Sequence, residues 1–458
     1  MKKEKQEVNI IVHRGLDQIG GCITEISTET SRIFVDMGQN LPGRGKPSLP
    51  GQDKRMVGKL FKQNVKQHEA VVYTHAHEDH VGLFRYVPDK VPQYIGSGAH
   101  EILLAKYQLI KQGHELEMER KVAEKKAEGQ NETAEKVAKR FQVILKKDEL
   151  ALQKLQNFIT WERTKPHAKP HSFEVGDIRI TPFFTCHSIY DSYMLLIEAG
   201  GKRIWHTGDY REHGYMGKGL VPTLKRYATD IDVLITEGTM LNREEECVHE
   251  REVLRRMASV MGAFKYVVVL ASATDIERLA SVKEAAAKAH KDLYICSGFM
   301  KRTMQTFTRR EAEASKGLFA FHPKYVGNGD TKITTMKKKG FVLVTGVGNQ
   351  GFVENLCKYL NSSDVLFIYS TWDGYYKDPA QVQENPRYKQ FRDAFSNAVD
   401  IHTSGHADRE TIKKVIETVH PKLGVIGIHK EADQLLESLE SLDLNKEIKI
   451  INQLNMRI

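Results

Sequence analysis

The chain of 458 residues has little cysteine, no long apolar run and no low-complexity segment. No stretch approaches the roughly 18 apolar residues that a membrane-spanning helix requires, so no membrane span is expected. The apolar run from Val8 to Val12 follows a basic start, but it is too short for a signal peptide and suits a first strand better. The composition therefore disfavours membrane, collagenous and disordered proteins.

The five cysteines are odd in number and widely spread, and no CxxC pair occurs. This pattern argues against a disulfide framework and against a cysteine-rich zinc module, and it favours a reducing, cytoplasmic location. The phosphate-binding pattern GxxxxGK[ST] is also absent from the sequence, so ATP hydrolysis has no support.

Length and charge set two further expectations. A chain of this length exceeds one ordinary core, so two or three structural units are predicted. Lysine and arginine outnumber aspartate and glutamate by 68 to 59, which gives a net charge of +9. A basic balance favours a polyanionic partner such as nucleic acid, although many basic proteins bind none.

The residue composition and the predicted secondary structure change several times along the chain. The first hundred or so residues indicate short strands, and residues 102–164 are rich in Lys, Glu, Ala and Leu and lack proline. Gly129 interrupts that stretch, so it is predicted to be a helical hairpin. The hairpin is interpreted as a solvated helical pair, with a docking arm for nucleic acid or protein as the alternative.

Strand patterns return over 173–238, and strand–helix alternation follows from 242 to 397. Such alternation predicts a parallel sheet covered by helices, and this region looks inserted into the first fold rather than appended to it. The tail is predicted to return to short strands, two of them at 401–406 and 423–429.

The hexapeptide HAHEDH at 75–80 is the strongest chemical signal in the chain. It follows an apolar strand, and its three histidines and Asp79 lie on one turn, where alternate side chains can converge on two neighbouring centres. Imidazole and carboxylate are the ligands that suit zinc when cysteine is absent. A cluster of surface histidines is the competing interpretation.

A metal site needs further ligands from elsewhere in the chain. His187 ends an apolar run, and Asp209 ends a strand in the segment RIWHTGD. A lone strand-end His or Asp is more often a turn or capping residue than a ligand. The order HxHxDH, strand-end His and strand-end TGD nevertheless resembles the metallo-β-lactamase superfamily, and this similarity begins near Asn9 and includes Asp36 at an early strand end.

The chain also resembles the β-CASP subgroup of that superfamily, whose members process nucleic acids, and within it ribonuclease J. The segment LITEGTM places Glu237 at the acidic motif, TSGHAD places His406 at the second motif, and GVIGIHKEAD places His429 at the last. The segments ASATDIERL and IYSTWDGY are similar to parts of the family's inserted domain. The similarity covers nearly the whole chain outside the hairpin.

The resemblance implies an α/β fold. An αββα sandwich characteristic of metallo-β-lactamases would comprise residues 1–240 and 398–458, a β-CASP α/β domain would comprise 241–397, and the hairpin at about 102–164 would be an additional insertion. Ribonuclease J usually carries a further C-terminal domain, and only 29 residues follow His429 here. Dimer assembly and RNA clamping by such a domain are therefore not carried over, although a homo-oligomer stays open.

The resemblance also implies a centre with two zinc ions, Mn²⁺ being the alternative. Its metal ligands would be His75, His77 and His187 for one ion and Asp79, His80 and His429 for the other, with Asp209 bridging them. Two such metals could activate a hydroxide and neutralise a phosphate during in-line displacement.

The same resemblance implies catalytic roles for Asp79, Asp209, His406 and Glu237. His406 would protonate the leaving O3′ oxygen, and Glu237 would orient and charge-stabilise His406. A helix-capping role for Glu237 and a backbone-satisfied loop position for His406 stay as alternatives. Ser370 and Ser404 would join His406 in contacting the substrate phosphate, but ordinary turn serines are an equally good interpretation.

The function expected from these motifs is metal-dependent hydrolysis of RNA, most of all single-stranded RNA. The alternatives are a DNA nuclease of the same subgroup, a lactonase- or thioesterase-like hydrolase of small molecules, and a non-catalytic RNA-binding protein. The inserted domain, Glu237, His406 and the basic charge argue against a small substrate. A non-catalytic protein would have lost ligands, and the expected seven are all present.

Overall fold

The structure, a computed structural model, describes residues 7–41, 49–165, 168–243, 247–431 and 439–458. Within these ranges the chain forms three β-sheets and helices that cover them. The strands, numbered in chain order, are β1 (Asn9–Arg14), β2 (Ile23–Ser27), β3 (Ser31–Val35), β4 (His68–Val72), β5 (Gln93–Gly96), β6 (Ile159–Trp161), β7 (Phe173–Val175), β8 (Ile178–Thr185), β9 (Ser192–Ala199), β10 (Lys202–His206), β11 (Val233–Glu237), β12 (Tyr266–Leu270), β13 (Leu293–Ile295), β14 (Lys324–Tyr325), β15 (Phe341–Thr345), β16 (Val365–Tyr369), β17 (Ala398–Asp400), β18 (Gly424–Ile428) and β19 (Asn455–Arg457).

The helices accompany the strands as separate covering layers. In chain order they are α1 (Pro50–Leu60), α2 (Glu78–Val81), α3 (Ser97–Ala127), α4 (Asn131–Gln156), α5 (Leu220–Tyr227), α6 (Glu250–Met261), α7 (Ile276–Lys288), α8 (Gly298–Glu311), α9 (Lys332–Lys339), α10 (Gln350–Cys357), α11 (Gly374–Lys377), α12 (Pro379–Glu384), α13 (Arg387–Asp393) and α14 (Arg409–Val419). In the part of the chain that the structure describes, none of these helices is long and apolar enough to cross a membrane.

Two of the sheets pack face to face. One has the strand order β19-β1-β2-β3-β4-β5-β6, and the other has the order β18-β11-β10-β9-β8-β7. Their inner faces form one apolar core, to which β3 contributes Val35, β4 contributes Val72 and β9 contributes Ile197. Because alternate residues of a strand point to opposite faces, the outer faces need a second cover. Helices α1, α3 and α4 cover the first sheet, and α5 and α14 cover the second. The predicted αββα sandwich is confirmed.

The third sheet is entirely parallel and has the order β14-β13-β15-β12-β16-β17. Its central strands β12, β15 and β16 are buried on both faces, as the unbroken apolar run YVVVL in β12 predicts. Helices α6, α7 and α8 pack on one face, and α9, α10 and α13 pack on the other. The sheet lies between β11 and β18 in sequence, and these two strands pair side by side in the sandwich. This topology is that of an insertion.

The edge strand β17 pairs with β16, so the third sheet extends to Asp400. That is three residues past the predicted boundary at 397, and the division into domains itself stays a prediction.

The predicted helical hairpin is present as α3 and α4, with a turn at Gly129, where φ is +74°. Helix α3 begins at Ser97, earlier than residue 102, and the stretch after α4 returns to the first sheet as β6. The base of the hairpin buries Leu103 and Leu155 against that sheet. It also reaches α8, where Arg310 donates a hydrogen bond of 2.6 Å to Glu101.

The strand predicted at 401–406 is wrong, because this segment forms a loop. Its backbone carbonyls are taken by buried side chains. Arg278 donates to the carbonyl of Thr403, and both Arg211 and His213 donate to the carbonyl of Ser404. These polar contacts replace the bonds that a strand ladder would have made.

Candidate metal centre

The seven predicted ligands lie at the carboxyl ends of strands. His75 and His77 follow β4, Asp79 and His80 lie on the single turn α2, and the remaining three follow β8, β10 and β18. Strands β10, β11 and β18 are parallel neighbours, so their carboxyl ends meet at one edge of the sheet. The fold thus brings together side chains that are far apart in sequence.

The ligands form two adjoining groups. The ligand atoms of His75, His77 and His187 lie within 4.8 Å of one another, and Nε2 of His187 is 3.1 Å from Nδ1 of His77. In the second group, Nε2 of His429 is 3.0 Å from Oδ2 of Asp79. The first group therefore offers three nitrogen donors, and the second offers nitrogen and carboxylate oxygen, at the spacing that a divalent cation could gather.

One oxygen of Asp209 faces both groups. Its Oδ2 atom lies 3.1 Å from Nε2 of His80 and 3.6 Å from Nε2 of His429. The same oxygen lies 3.8 Å from Nε2 of His75 and 3.7 Å from Nε2 of His187. A carboxylate in this position can neutralise charge in both groups at once.

Three donor atoms of the centre are buried and have no hydrogen-bond partner among the described residues. They are Nε2 of His75, Nε2 of His80 and Oδ2 of Asp209. Nε2 of His80 and Oδ2 of Asp209 lie 3.1 Å apart as an ion pair, without the geometry of a hydrogen bond. A buried polar atom without a hydrogen bond costs about 1–3 kcal/mol, and a shared cation would satisfy all three atoms. Metal ions satisfy nitrogen and carboxylate lone pairs together, so the residues fit the group that the sequence implies.

Burial also sets the protonation states that ligands need. Burial lowers the pKa of His75 and of His187 well below the ordinary value, and it lowers the pKa of His77 to about 4. These rings are neutral at neutral pH, which leaves a lone pair for a metal. Burial lowers the pKa of His80 as well, but the charges of Asp209 and Asp36 outweigh it and raise that pKa. The surroundings of His80 thus favour its protonated ring, in contrast to the other three histidines.

Four of the rings are oriented by a bond at Nδ1, which turns Nε2 towards the centre. The partners are Thr74 Oγ1 for His75 (3.0 Å), Asp36 Oδ2 for His80 (2.7 Å), Gly405 O for His187 (2.6 Å) and Thr239 Oγ1 for His429 (2.7 Å).

The orienting role of Asp36 was not predicted, although the sequence placed it at a strand end. Its carboxylate also accepts bonds from the backbone N–H and the hydroxyl of Thr74. Asp36 and His429 both adopt left-handed backbone conformations, with φ of 63° and 53°. Such conformations cost of order 1 kcal/mol or more and concentrate at functional sites.

Close packing around the centre explains two glycines. A Cβ atom on Gly38 would sit 1.7 Å from the carbonyl oxygen of Asp79, and Gly208 has φ of +55° and abuts Thr74. Any larger residue at either position would push a ligand-bearing loop away.

Cys22 is a neighbour of the centre that sequence reasoning missed. It is 1% exposed, and its sulfur lies within 4.8 Å of ligand nitrogens of His80 and His429. Burial raises the pKa of its thiol well above the ordinary value, so it stays neutral in these surroundings. An isolated cysteine has no spacing partner in the sequence, so no signal could have identified it.

His406 and Glu237 form a pair beside the centre. Nδ1–H of His406 donates to Oε2 of Glu237 over 2.7 Å, and Oε1 of Glu237 accepts from the backbone N–H of Tyr210 over 2.8 Å. Burial lowers the pKa of His406, but the negative charge of Glu237 and this hydrogen bond outweigh it and raise the pKa. Glu237 is fully buried, whereas the side chain of His406 is 21% exposed. Only the histidine can therefore reach solvent or a substrate.

The two predicted phosphate-contacting serines differ in their surroundings. Ser370 is 2% exposed, and its hydroxyl accepts from Arg278 and donates to the carbonyl of Ile401. Ser404 is half-buried, and its hydroxyl accepts from the backbone N–H of His406. Ser404 lies at the centre, while the hydroxyl of Ser370 already has internal partners. Their contact with a substrate stays a prediction.

A buried ion network joins the centre to the third sheet. Arg211, two residues after Asp209, contacts Asp275 and Glu277 at 3.1 and 2.9 Å and Glu250 at 3.4 Å. Arg278 pairs with the same Glu250 at 2.8 Å and, as noted, holds Ser370 and the 401–406 loop. Each charged member is at most 5% exposed.

Replacing Arg211 by alanine should destabilise the protein by about 3–5 kcal/mol, because three buried carboxylates would share one remaining arginine. Chemical denaturation of the purified protein would measure this loss. Arg179→Ala is the matched control, since Arg179 pairs with Glu174 on the surface and should cost at most about 1 kcal/mol. Equal effects of the two substitutions would mean that the network contributes no more than a surface pair.

The chain matches no protein-family model. It is 21% identical over 444 residues to "Ribonuclease J" of Helicobacter pylori strain B128, which covers 93% of this chain and 56% of that protein. It is 22% identical over 428 residues to "Ribonuclease J" of Sinorhizobium meliloti strain Sm2011, with coverages of 89% and 65%. The chain thus spans less than two thirds of the length of these curated relatives.

A solved structure has a similar fold over the whole chain. It is the crystal structure of a protein of unknown function from Enterococcus faecalis V583, with a TM-score of 0.67, 18% identity and coverage of 99% of both chains. At this identity the similarity concerns the fold alone.

Proposed function

We propose that this chain, which is related to ribonuclease J and hence to the β-CASP group of the metallo-β-lactamase superfamily, hydrolyses phosphodiester bonds of single-stranded RNA. The observation that carries the proposal is the set of buried, unpartnered donors on His75, His80 and Asp209 beside the pair His406–Glu237. Metal ligands beside a partly exposed proton donor are the groups that such a reaction requires.

Two zinc ions, or two manganese ions, are the proposed cofactors. His75, His77 and His187 would hold one ion, Asp79, His80 and His429 the other, and Asp209 would contact both. Bound there, the ions would supply positive charge for the phosphate and a nucleophilic water at neutral pH.

The protein's own residues position the reaction. Glu237 keeps a proton on Nδ1 of His406, so Nε2 carries the second proton whenever the ring is charged. His406 would then donate that proton to the leaving O3′ oxygen of RNA. Ser404, whose hydroxyl accepts from the backbone N–H of His406, would fix the position of this ring relative to the ligands.

RNA is preferred to DNA as substrate because both curated relatives are named ribonucleases. The net charge of +9 suits either polyanion, so charge does not distinguish them. The cleavage test therefore compares both polymers.

The test compares end-labelled single-stranded RNA and DNA of equal sequence, with metal content measured on the same samples. We expect zinc- or manganese-dependent cleavage of RNA by the wild type. Asp79→Ala, which removes a ligand, should lower that cleavage by more than about 100-fold without unfolding the chain. The length ladder of the products would separate cleavage from an end from internal cleavage.

Asp89→Ala serves as the control, since the Asp89 side chain is 96% exposed and pairs with Lys154, which is not among the predicted ligands. It should cleave RNA like the wild type. Full activity of Asp79→Ala at normal metal content would refute the proposed ligand set. Cleavage of DNA in preference to RNA would replace the ribonuclease by a DNA nuclease, and cleavage of neither with two metals bound would favour a small substrate.

A further inference from the structure

A second cluster of metal-binding side chains lies outside the centre described above. The ligand atoms of His213, Cys247 and Asp408 lie within 4.8 Å of one another. None of the three belongs to the ligand groups around Asp209. An imidazole, a thiol and a carboxylate together are a donor set characteristic of zinc and related divalent metals.

His213 provides this cluster with a nitrogen atom, Nδ1, that is free to bind a metal. His213 is 8% exposed as a residue, and Nε2–H donates to the carbonyl of Ser404 over 2.7 Å. The proton on Nε2 leaves Nδ1 with a lone pair. Nδ1 is buried and has no hydrogen-bond partner among the described residues. Burial also lowers the pKa of His213 to about 4, so the ring is neutral at neutral pH.

Of the other two donors, Asp408 is held by a backbone contact, and Cys247 lies on a half-buried stretch of chain. Asp408 caps α14, and Oδ1 accepts from the backbone N–H of Thr411 over 2.9 Å, which fixes the carboxylate and leaves its other oxygen for a second contact. Cys247 is half-buried and lies three residues before α6. Zinc ligands in a tetrahedral site are roughly 3.3–3.8 Å apart, so donors within 4.8 Å need to close by little more than 1 Å.

We propose that His213, Cys247 and Asp408 bind one divalent metal ion of the zinc class, with water as the fourth ligand. On binding, the sulfur of Cys247 forms a bond to the metal and its S–H bond breaks, the proton passing to solvent. The metal keeps its oxidation state throughout, so no other reactant is needed. The lone pair of His213 Nδ1 and one oxygen of Asp408 complete the protein ligands.

The site joins three segments that lie between the sandwich and the third sheet. His213 follows the loop of Asp209, Cys247 lies on the passage from β11 to α6, and Asp408 follows His406. A metal here would fix both connections of the inserted unit to the sandwich. It would also hold the loop that carries Ser404 and His406. The proposed ion is therefore structural, and it stabilises the edge at which the proposed chemistry occurs.

The test measures metal content and cobalt spectra of the full-length chain. Zinc-loaded wild type should contain one more metal ion per chain than Cys247→Ser. Cobalt-loaded wild type should show a thiolate-to-cobalt charge-transfer band that Cys247→Ser loses. The affinity for this ion should fall by at least about 10-fold in the variant. Neither readout depends on hydrolysis, so the result is independent of the proposed ribonuclease function.

Cys357→Ser is the matched control, because Cys357 is also half-buried and free. It should keep the full metal content and the cobalt band. His213→Gln should lose the same single ion as Cys247→Ser, with both proteins shown to be folded by circular dichroism. Equal metal content in wild type, Cys247→Ser and His213→Gln would overturn the proposal, and would mean that water satisfies Nδ1 of His213.

Discussion

Replacing Asp209 by asparagine should lower RNA cleavage by at least about 10⁴-fold, the scale seen when a central catalytic group is removed. Asp209 is the residue whose single oxygen lies within 3.8 Å of Nε2 on His75, His80, His187 and His429. Asparagine keeps the shape of the side chain but loses the negative charge. Two neighbouring cations would then lack the anion between them, so at least one metal ion per chain should be lost.

The loss of charge should affect binding of metal more than folding. Asp209 is 2% exposed and surrounded by histidines, and no aliphatic packing changes when the carboxylate becomes an amide. Metal content, thermal unfolding and cleavage rate would be measured on the same preparation. We expect the unfolding of metal-free protein to change little, whereas the added stability that metal gives the wild type should largely disappear.

Asp191→Asn is the control for this substitution. Asp191 is equally buried, but its carboxylate accepts bonds from the backbone of Gly98 and Ala99 and from the hydroxyl of Tyr193, away from the metal ligands. Asp191→Asn should retain both metal ions. An Asp209→Asn protein that keeps two metal ions and cleaves RNA at the wild-type rate would show that the two groups of ligands do not need a shared carboxylate.

The parallel sheet and the helical hairpin could be predicted because their signals are local, whereas the sandwich was implied by the family resemblance. The apolar runs of β12, β15 and β16 predict buried parallel strands, and Gly129 predicts the turn between α3 and α4. The segment 401–406 misled prediction because its composition suits a strand. Its conformation depends instead on Arg211 and Arg278, which are distant in sequence and take its carbonyl groups.

The sequence predicted the candidate ligands, because four of them are neighbours in the chain, but it did not predict the residues that orient them. His75, His77, Asp79 and His80 are close in sequence, and the structure does bring them near the other expected ligands. The groups that hold those ligands have no such pattern. Asp36 was visible as a strand-end acid, yet nothing in the sequence indicates that it accepts a bond from His80.

The ion network was hidden for an electrostatic reason. Arg211, Glu250 and Glu277 are charged residues, and charged residues are normally solvated, so a sequence offers no sign that these are buried. Their burial becomes favourable only when the sandwich and the inserted unit come together and each charge finds an opposite one. Through this network, the position of the loop bearing His406 depends on how the third sheet packs against the sandwich.

Replacing His406 by alanine should slow RNA cleavage by about 10²–10⁴-fold while both metal ions stay bound. The reason is chemical: O3′ leaves as a strongly basic alkoxide unless a proton reaches it, and in the proposed reaction the partly exposed His406 would supply that proton. Turnover at saturating RNA and metal content per chain would be measured together. Glu237→Gln should act in the same direction but more weakly, since it removes the charge that stabilises the protonated ring.

The leaving group distinguishes proton donation from metal binding. His406 also lies near Asp209 and His429, close enough for its ring to be a metal ligand instead. An aryl phosphodiester such as bis(p-nitrophenyl) phosphate releases a weakly basic phenolate that needs no proton. If His406 is the acid, His406→Ala should cleave this ester within roughly 10-fold of the wild-type rate. If the variant instead loses a metal ion and fails equally on both substrates, His406 is a ligand, because a ligand is needed whatever group leaves.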